Sequence, residues 1–83
     1  MATMYIVREE IIIDSTFNEG IITRTINKER AIRKAEKAYQ DMLKHPNLIG
    51  SIQRKTENRY EIYNAVSGDS YIIEIEEYSS DIE

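Results

Sequence analysis

The chain has no cysteine and no tryptophan among its 83 residues, and only one histidine, one phenylalanine, one proline and three glycines. Without cysteine, neither a disulfide nor a thiolate–zinc site can add stability to a domain at the small end of what folds unaided. The fold must rest on an aliphatic core, or on surface buried between copies. The one histidine, His45, would need an orienting carboxylate and a nucleophile within reach to act as a catalytic base, and the sequence points to neither. Its position at the end of a helical stripe suits the ordinary role of meeting the last helix carbonyls. No phosphate loop, dinucleotide fingerprint, metal-ligand spacing or calcium loop is present. Enzyme activity, a metal and a cofactor are therefore not expected. No apolar run approaches the ~18–20 residues that span a bilayer, and no signal-peptide pattern opens the chain. The expected place is the cytoplasm.

Isoleucine and charge are abundant. Fifteen isoleucines supply most of the apolar surface. The formal net charge of −4 hides two blocks of opposite sign. From Arg24 to His45 there are seven basic residues against three acidic ones, and from Glu61 onward seven acidic residues and no basic one. Segregated charge gives each surface a sign and so limits which partners can dock.

No repeat or linker divides the chain, so it reads as one small domain over 1–83, with 79–83 as a frayed acidic tail. Thr3–Ile13, rich in Ile, Val and Tyr, predicts a strand. Asp14–Gly20 reads as a turn-rich loop and Ile21–Ile26 as a second strand pairing with the first. Asn27 is a good N-cap, and Glu29 suits the positive end of the helix dipole. From Lys28 to Lys44 the apolar positions Ala31, Ile32, Ala35, Ala38, Tyr39, Met42 and Leu43 recur at helical spacing, and His45-Pro46 ends the helix. Three strands follow: Leu48–Lys55, Arg59–Val66 and Ser70–Tyr78. The order is ββαβββ, an α+β two-layer sandwich with one helix on a mostly antiparallel sheet.

Turn lengths set the expected registers. A two-residue turn at Ser67-Gly68 places Val66 opposite Asp69, Ile62 opposite Ile73 and Tyr60 opposite Ile75. A three-residue loop at Thr56-Glu57-Asn58 places Ile52 opposite Ile62 and Leu48 opposite Val66. The expected core face is then Leu48, Ile52, Tyr60, Ile62, Val66, Tyr71, Ile73 and Ile75, lying under Ile32, Tyr39 and Met42. The same registers put Arg59 opposite Glu76, Glu61 opposite Glu74 and Ile49 opposite Ala65 on the outer face. Like charges directly opposite cost a few tenths to ~1 kcal/mol, so the Glu61–Glu74 pair asks for a reason.

Two surfaces compete for function. Ile49, Tyr63 and Ile72, rimmed by Glu61, Glu74 and Glu76, form an apolar strip suited to a protein with basic or apolar groups. The ordinary alternative is a solvated sheet face, and a homodimer through the same strip is a further expectation. Tyr5, Tyr39, Tyr60 and Tyr71 read as core or edge residues, whereas Tyr63 and Tyr78 point the other way. The second surface is the helix, where Lys28, Arg30, Arg33, Lys34 and Lys37 could contact the phosphates of a nucleic acid; here the ordinary alternative is a solvated charged face. Carboxylates on alternate strand positions sit ~7 Å apart, near the phosphate spacing of a nucleic-acid strand, so the acidic strand and its tail also allow nucleic-acid mimicry. In size and composition the chain is similar to small proteins of phages and mobile elements, several of which block host machinery. The leading expectation is a non-enzymatic module that covers a partner protein's surface, one form being a mobile-element inhibitor of a host protein.

Overall fold

In the computed structural model, which describes residues 2–80, the first and last strands lie side by side at the centre of one sheet. The elements are β1 (Ala2–Ile13), β2 (Thr16–Thr25), α1 (Lys28–Leu43), a 3₁₀ turn (Pro46–Leu48), β3 (Ile52–Lys55), β4 (Arg59–Tyr63) and β5 (Ser70–Ser80). The strand order is β2-β1-β5-β4-β3, and every neighbouring pair is antiparallel. One helix lies on one face of this sheet, as the order ββαβββ requires. Thr3 and Ser79 pair across β1 and β5, so positions 79 and 80 belong to a strand, not to a frayed tail; positions 81–83 lie outside the described residues.

The helix begins where its cap predicts. The Asn27 side chain accepts a hydrogen bond from the Arg30 N–H at 3.0 Å, satisfying one of the first-turn donors. Ala31, Ala35 and Tyr39 are its buried residues. The two alanines let the helix axis approach the sheet closely. Ile32, expected in the core, lies to one side of that stripe and is 37% exposed.

The N-terminal hairpin is tighter than its sequence suggests. Asp14 and Ser15 adopt φ of 51° and 64°, and the ladder closes directly around them with Ile13 opposite Thr16. Two residues in the left-handed region match the twist of the flanking strands. The expected seven-residue loop is therefore a two-residue turn, and Thr16–Gly20 is strand. A register shift opposite the Val7–Arg8 step makes Ile22 the extra residue of a bulge and packs it on the core.

The meander departs from expectation in two instructive ways. The Asn64 side-chain oxygen accepts from Val66 N–H at 3.0 Å and Ser67 N–H at 3.2 Å, and Gly68 N–H donates to the Asn64 carbonyl at 2.8 Å. The turn is therefore Ala65–Gly68, with Gly68 at φ 81°. Tyr60 now faces Ile73 and Ile62 faces Tyr71, a shift of two residues that leaves every side chain on its expected face. Val66 sits at the loop tip, 98% exposed, and is no part of the core.

The other turn shifts by one residue, with the opposite consequence. Thr56 N–H donates to the Arg59 carbonyl at 2.8 Å, so only Glu57 and Asn58 span the turn, and Ile52 lies opposite Tyr63. An odd shift turns every β3 side chain over. Ile52 leaves the core and is 59% exposed, while Gln53 and Lys55 turn toward the helix. Both find partners there. The Tyr39 hydroxyl donates to Gln53 Oε1 at 3.0 Å. Lys55 Nζ lies 2.5 Å from Glu36 Oε2 and 4.7 Å above the Tyr60 ring.

The fully enclosed core is Val7, Ala31, Ala35, Tyr39, Leu48, Tyr60, Ile62, Tyr71 and Ile73, with Tyr5, Met42 and Ile75 partly buried against it. Leu48 reaches it from the 3₁₀ turn, not from a strand. The Tyr71 hydroxyl donates to Glu9 Oε2 at 2.8 Å, and burial together with that carboxylate pushes the phenol well above its usual range.

Candidate docking face

The sheet face away from α1 has no covering layer, and strand alternation decides what it displays. One row of paired residues crosses all five strands: Phe17, Ile12, Ser70, Tyr63 and Ile52. Phe17 is 55% exposed, Tyr63 48% and Ile52 59%. The next row reads Glu19, Glu10, Ile72, Glu61 and Arg54. Beyond it come Ile21, Arg8, Glu74 and Arg59. Met4 and Tyr78, also paired and also exposed, extend the face along the β1–β5 ribbon.

Five of the six expected docking residues come together here. Tyr63 and Ile72 lie in adjacent rows, and Glu61, Glu74 and Glu76 flank them. Ile49 does not join them. It follows the 3₁₀ turn, 66% exposed and outside the sheet, because that turn takes up residues that would otherwise extend β3. Ile52 occupies the place beside Tyr63.

The acidic row is less acidic than its sequence. The observed register puts Arg59 opposite Glu74 and Ile72 opposite Glu61; the expected Glu61–Glu74 repulsion does not exist. Arg59 bonds Glu74 and reaches Glu61 at 3.4 Å. Arg8 on β1 bonds Glu76, which keeps the guanidinium above its ordinary pKa. Glu76 also accepts from the Tyr78 hydroxyl at 2.8 Å. Carboxylates tied to arginines make a poor imitation of a bare phosphate row. Glu77 lies on the helix-side parity of β5, and Asp81 and Glu83 lie outside the described residues.

A like-charge pair does occur elsewhere. Glu10 and Glu19 are direct cross-strand partners, and neither makes an ion pair among the described residues. They stand next to the apolar pair Ile12 and Phe17. The sequence contains a signal for this in retrospect: Asp14-Ser15 directly after an isoleucine run is a two-residue hairpin turn, and that reading aligns the two glutamates.

On the other side of the molecule, Arg30, Arg33, Lys34 and Lys37 are exposed at i, i+3, i+4 and i+7, one continuous ridge opposite the buried stripe. Lys28 stands apart, turned to Glu57 at 3.9 Å. Lys37 meets Asp41 at 3.2 Å, whereas Arg30, Arg33 and Lys34 have no ion-pair partner among the described residues. Lys55 draws Glu36 away from the ridge, and its hydrogen bond, with a second from Gln40, holds that carboxyl below its usual value.

His45 Nδ1 accepts from the Asn47 N–H at 3.1 Å, capping the 3₁₀ turn. The turn it caps is a different one from the helix end that its sequence position suggests. Beside it, buried Asp69 accepts from the Asp14 N–H at 3.0 Å and from Asn47 Nδ2 at 3.1 Å. Among the described residues no group of three His, Cys, Asp or Glu is placed to hold a metal ion, and no helix is long and apolar enough to cross a membrane. Comparison with protein-family models, with curated proteins and with solved structures found no match to this chain.

Proposed function

We propose that the chain is a non-enzymatic binding module that docks a partner protein on the uncovered face of its sheet. The observation that carries this reading is the apolar row Phe17, Ile12, Tyr63 and Ile52, interrupted only by Ser70. Rigid strands hold that row, and large aromatic and aliphatic side chains on a preorganised surface lose little entropy on binding. The adjacent Glu10–Glu19 pair favours a partner that brings a lysine or arginine next to its own apolar groups. An inhibitor of a host protein, as small mobile-element proteins often are, needs no more than such a face. The cytoplasm is the compartment that suits a cysteine-free chain of this kind.

The test compares the wild type with Ile52→Lys/Tyr63→Lys, a change at two exposed positions. Affinity capture from the native host and sedimentation equilibrium are run on both. A captured protein that the double variant loses, with its melting curve unchanged, supports the reading. A dimer that the variant reduces to a 9.7 kDa monomer identifies the partner as a second copy. Capture that survives the double change removes the face from consideration.

A further inference from the structure

The helix ridge points away from the docking face and has its own chemistry. Between Lys28 and Lys44 there are six basic and three acidic side chains, a balance of +3 in a chain whose total is −4. Of the three acids, Glu36 is turned to Lys55, and Glu29, four residues before Arg33, adjoins the ridge only at its first turn and makes no ion pair among the described residues. The third, Asp41, meets only Lys37. Glu61, Glu74 and Glu76 stand on the far face of the sheet, already bonded to Arg59 and Arg8. The shortest dimension of the molecule is 17 Å, about twice the ~8 Å Debye length at physiological salt. A ligand at the ridge therefore meets positive charge, largely screened from the carboxylates behind the sheet.

We propose that Arg30, Arg33, Lys34 and Lys37 bind the phosphate backbone of duplex DNA without reading its sequence. The ridge spans about 10 Å along the helix, one to two of the ~7 Å intervals between neighbouring phosphates of a strand, and its long flexible side chains extend that reach to three or four phosphates. The ridge has no free side-chain amide to read an adenine edge: Gln40, the nearest, already donates to Glu36, and its four cations match the phosphates that every sequence presents. No aromatic stands there to stack an unpaired base, which disfavours a single strand. An anionic membrane is disfavoured as well, because surface-binding helices insert an apolar face, and here that face is packed on the sheet. The proposal stands independently of the docking face.

The experiment is fluorescence anisotropy with a mixed-sequence duplex of about 20 base pairs, titrated from about 50 to about 200 mM salt. Three to four phosphate contacts give a slope of log affinity against log salt of about −3. Arg30→Gln/Arg33→Gln should weaken binding at least about tenfold and bring the slope down by about two, while Lys28→Gln, off the ridge, leaves both unchanged. Lys34→Gln/Lys37→Gln provides a second pair should the first fold poorly by circular dichroism. No duplex binding at the lowest salt, binding indifferent to both ridge pairs, or phosphatidylserine vesicles bound in preference to the duplex would each overturn the proposal.

Discussion

Asp69 is the one charged side chain withdrawn from solvent among the described residues, and groups from two separate segments bond its carboxylate oxygens. Asp14 N–H comes from the first hairpin and Asn47 Nδ2 from the 3₁₀ turn, while the Asp69 N–H itself donates to Ser67 Oγ at 3.2 Å. Asn64 braces the same corner by donating from Nδ2 to the Asn47 carbonyl at 3.0 Å. Burial alone would raise the Asp69 pKa, but these hydrogen bonds, with His45 nearby, bring it below its usual 3.8. A carboxyl whose folded pKa lies below its unfolded value stabilises the fold above the unfolded value and ceases to do so as pH falls through the folded one. Asp69→Asn should therefore lower the melting temperature near neutral pH. The gap from the wild type should close as the pH drops below about 4, where the wild-type carboxyl also takes up its proton. A gap constant from neutral to strongly acid pH would show that shape, not charge, matters at this position.

At the scale of elements, turn length decides which side chains meet the helix. Asn64 lengthens one turn by two residues and changes no face, whereas the loss of one residue at Glu57-Asn58 turns β3 over. Ile62 and Ile52, expected opposite each other in the core, should then differ sharply under truncation. Ile62→Ala, at a fully buried site, should cost ~2–5 kcal/mol in denaturant unfolding. Ile52→Ala, on the exposed face, should stay within about 0.5 kcal/mol. Equal costs would return β3 to its expected register. The helix, its Asn27 cap and the inward parity of Tyr60, Ile62, Tyr71 and Ile73 were legible because apolar periodicity tolerates an error of two residues. Ile52 was not legible, since an error of one inverts the whole strand. The same limit governs the docking face. Alternation alone placed Glu61, Tyr63, Ile72, Glu74 and Glu76 outward, but Phe17 and Glu19 stayed hidden while Asp14–Gly20 read as a loop. Gly20 and Asn18 are turn formers by propensity, and the sheet holds them extended because Asp14-Ser15 has already reversed the chain.

Over the whole molecule, charge is sorted by what it touches. Arginines from β1 and β4 pair with Glu76 and Glu74 of β5, the helix ridge is left basic, and the repulsive cross-strand pair Glu10 and Glu19 stands beside the exposed apolar row. Directly opposed like charges destabilise an antiparallel pair by a few tenths to ~1 kcal/mol, a sizeable share for a small domain. No ion pair among the described residues offsets that cost, whereas a cationic group brought by a partner would meet two carboxylates at once next to an apolar surface. Glu19→Gln separates the two roles. With the repulsion gone, the free protein should be equal to the wild type or up to about 0.5 kcal/mol more stable. Partner binding should weaken and lose part of its salt dependence, because both effects come from the same charge. Unfolding curves and a salt series on the captured complex measure the two quantities. Lost stability with binding intact would mean that the pair serves the hairpin, and the proposed docking face would then have to recognise a partner through the apolar row alone.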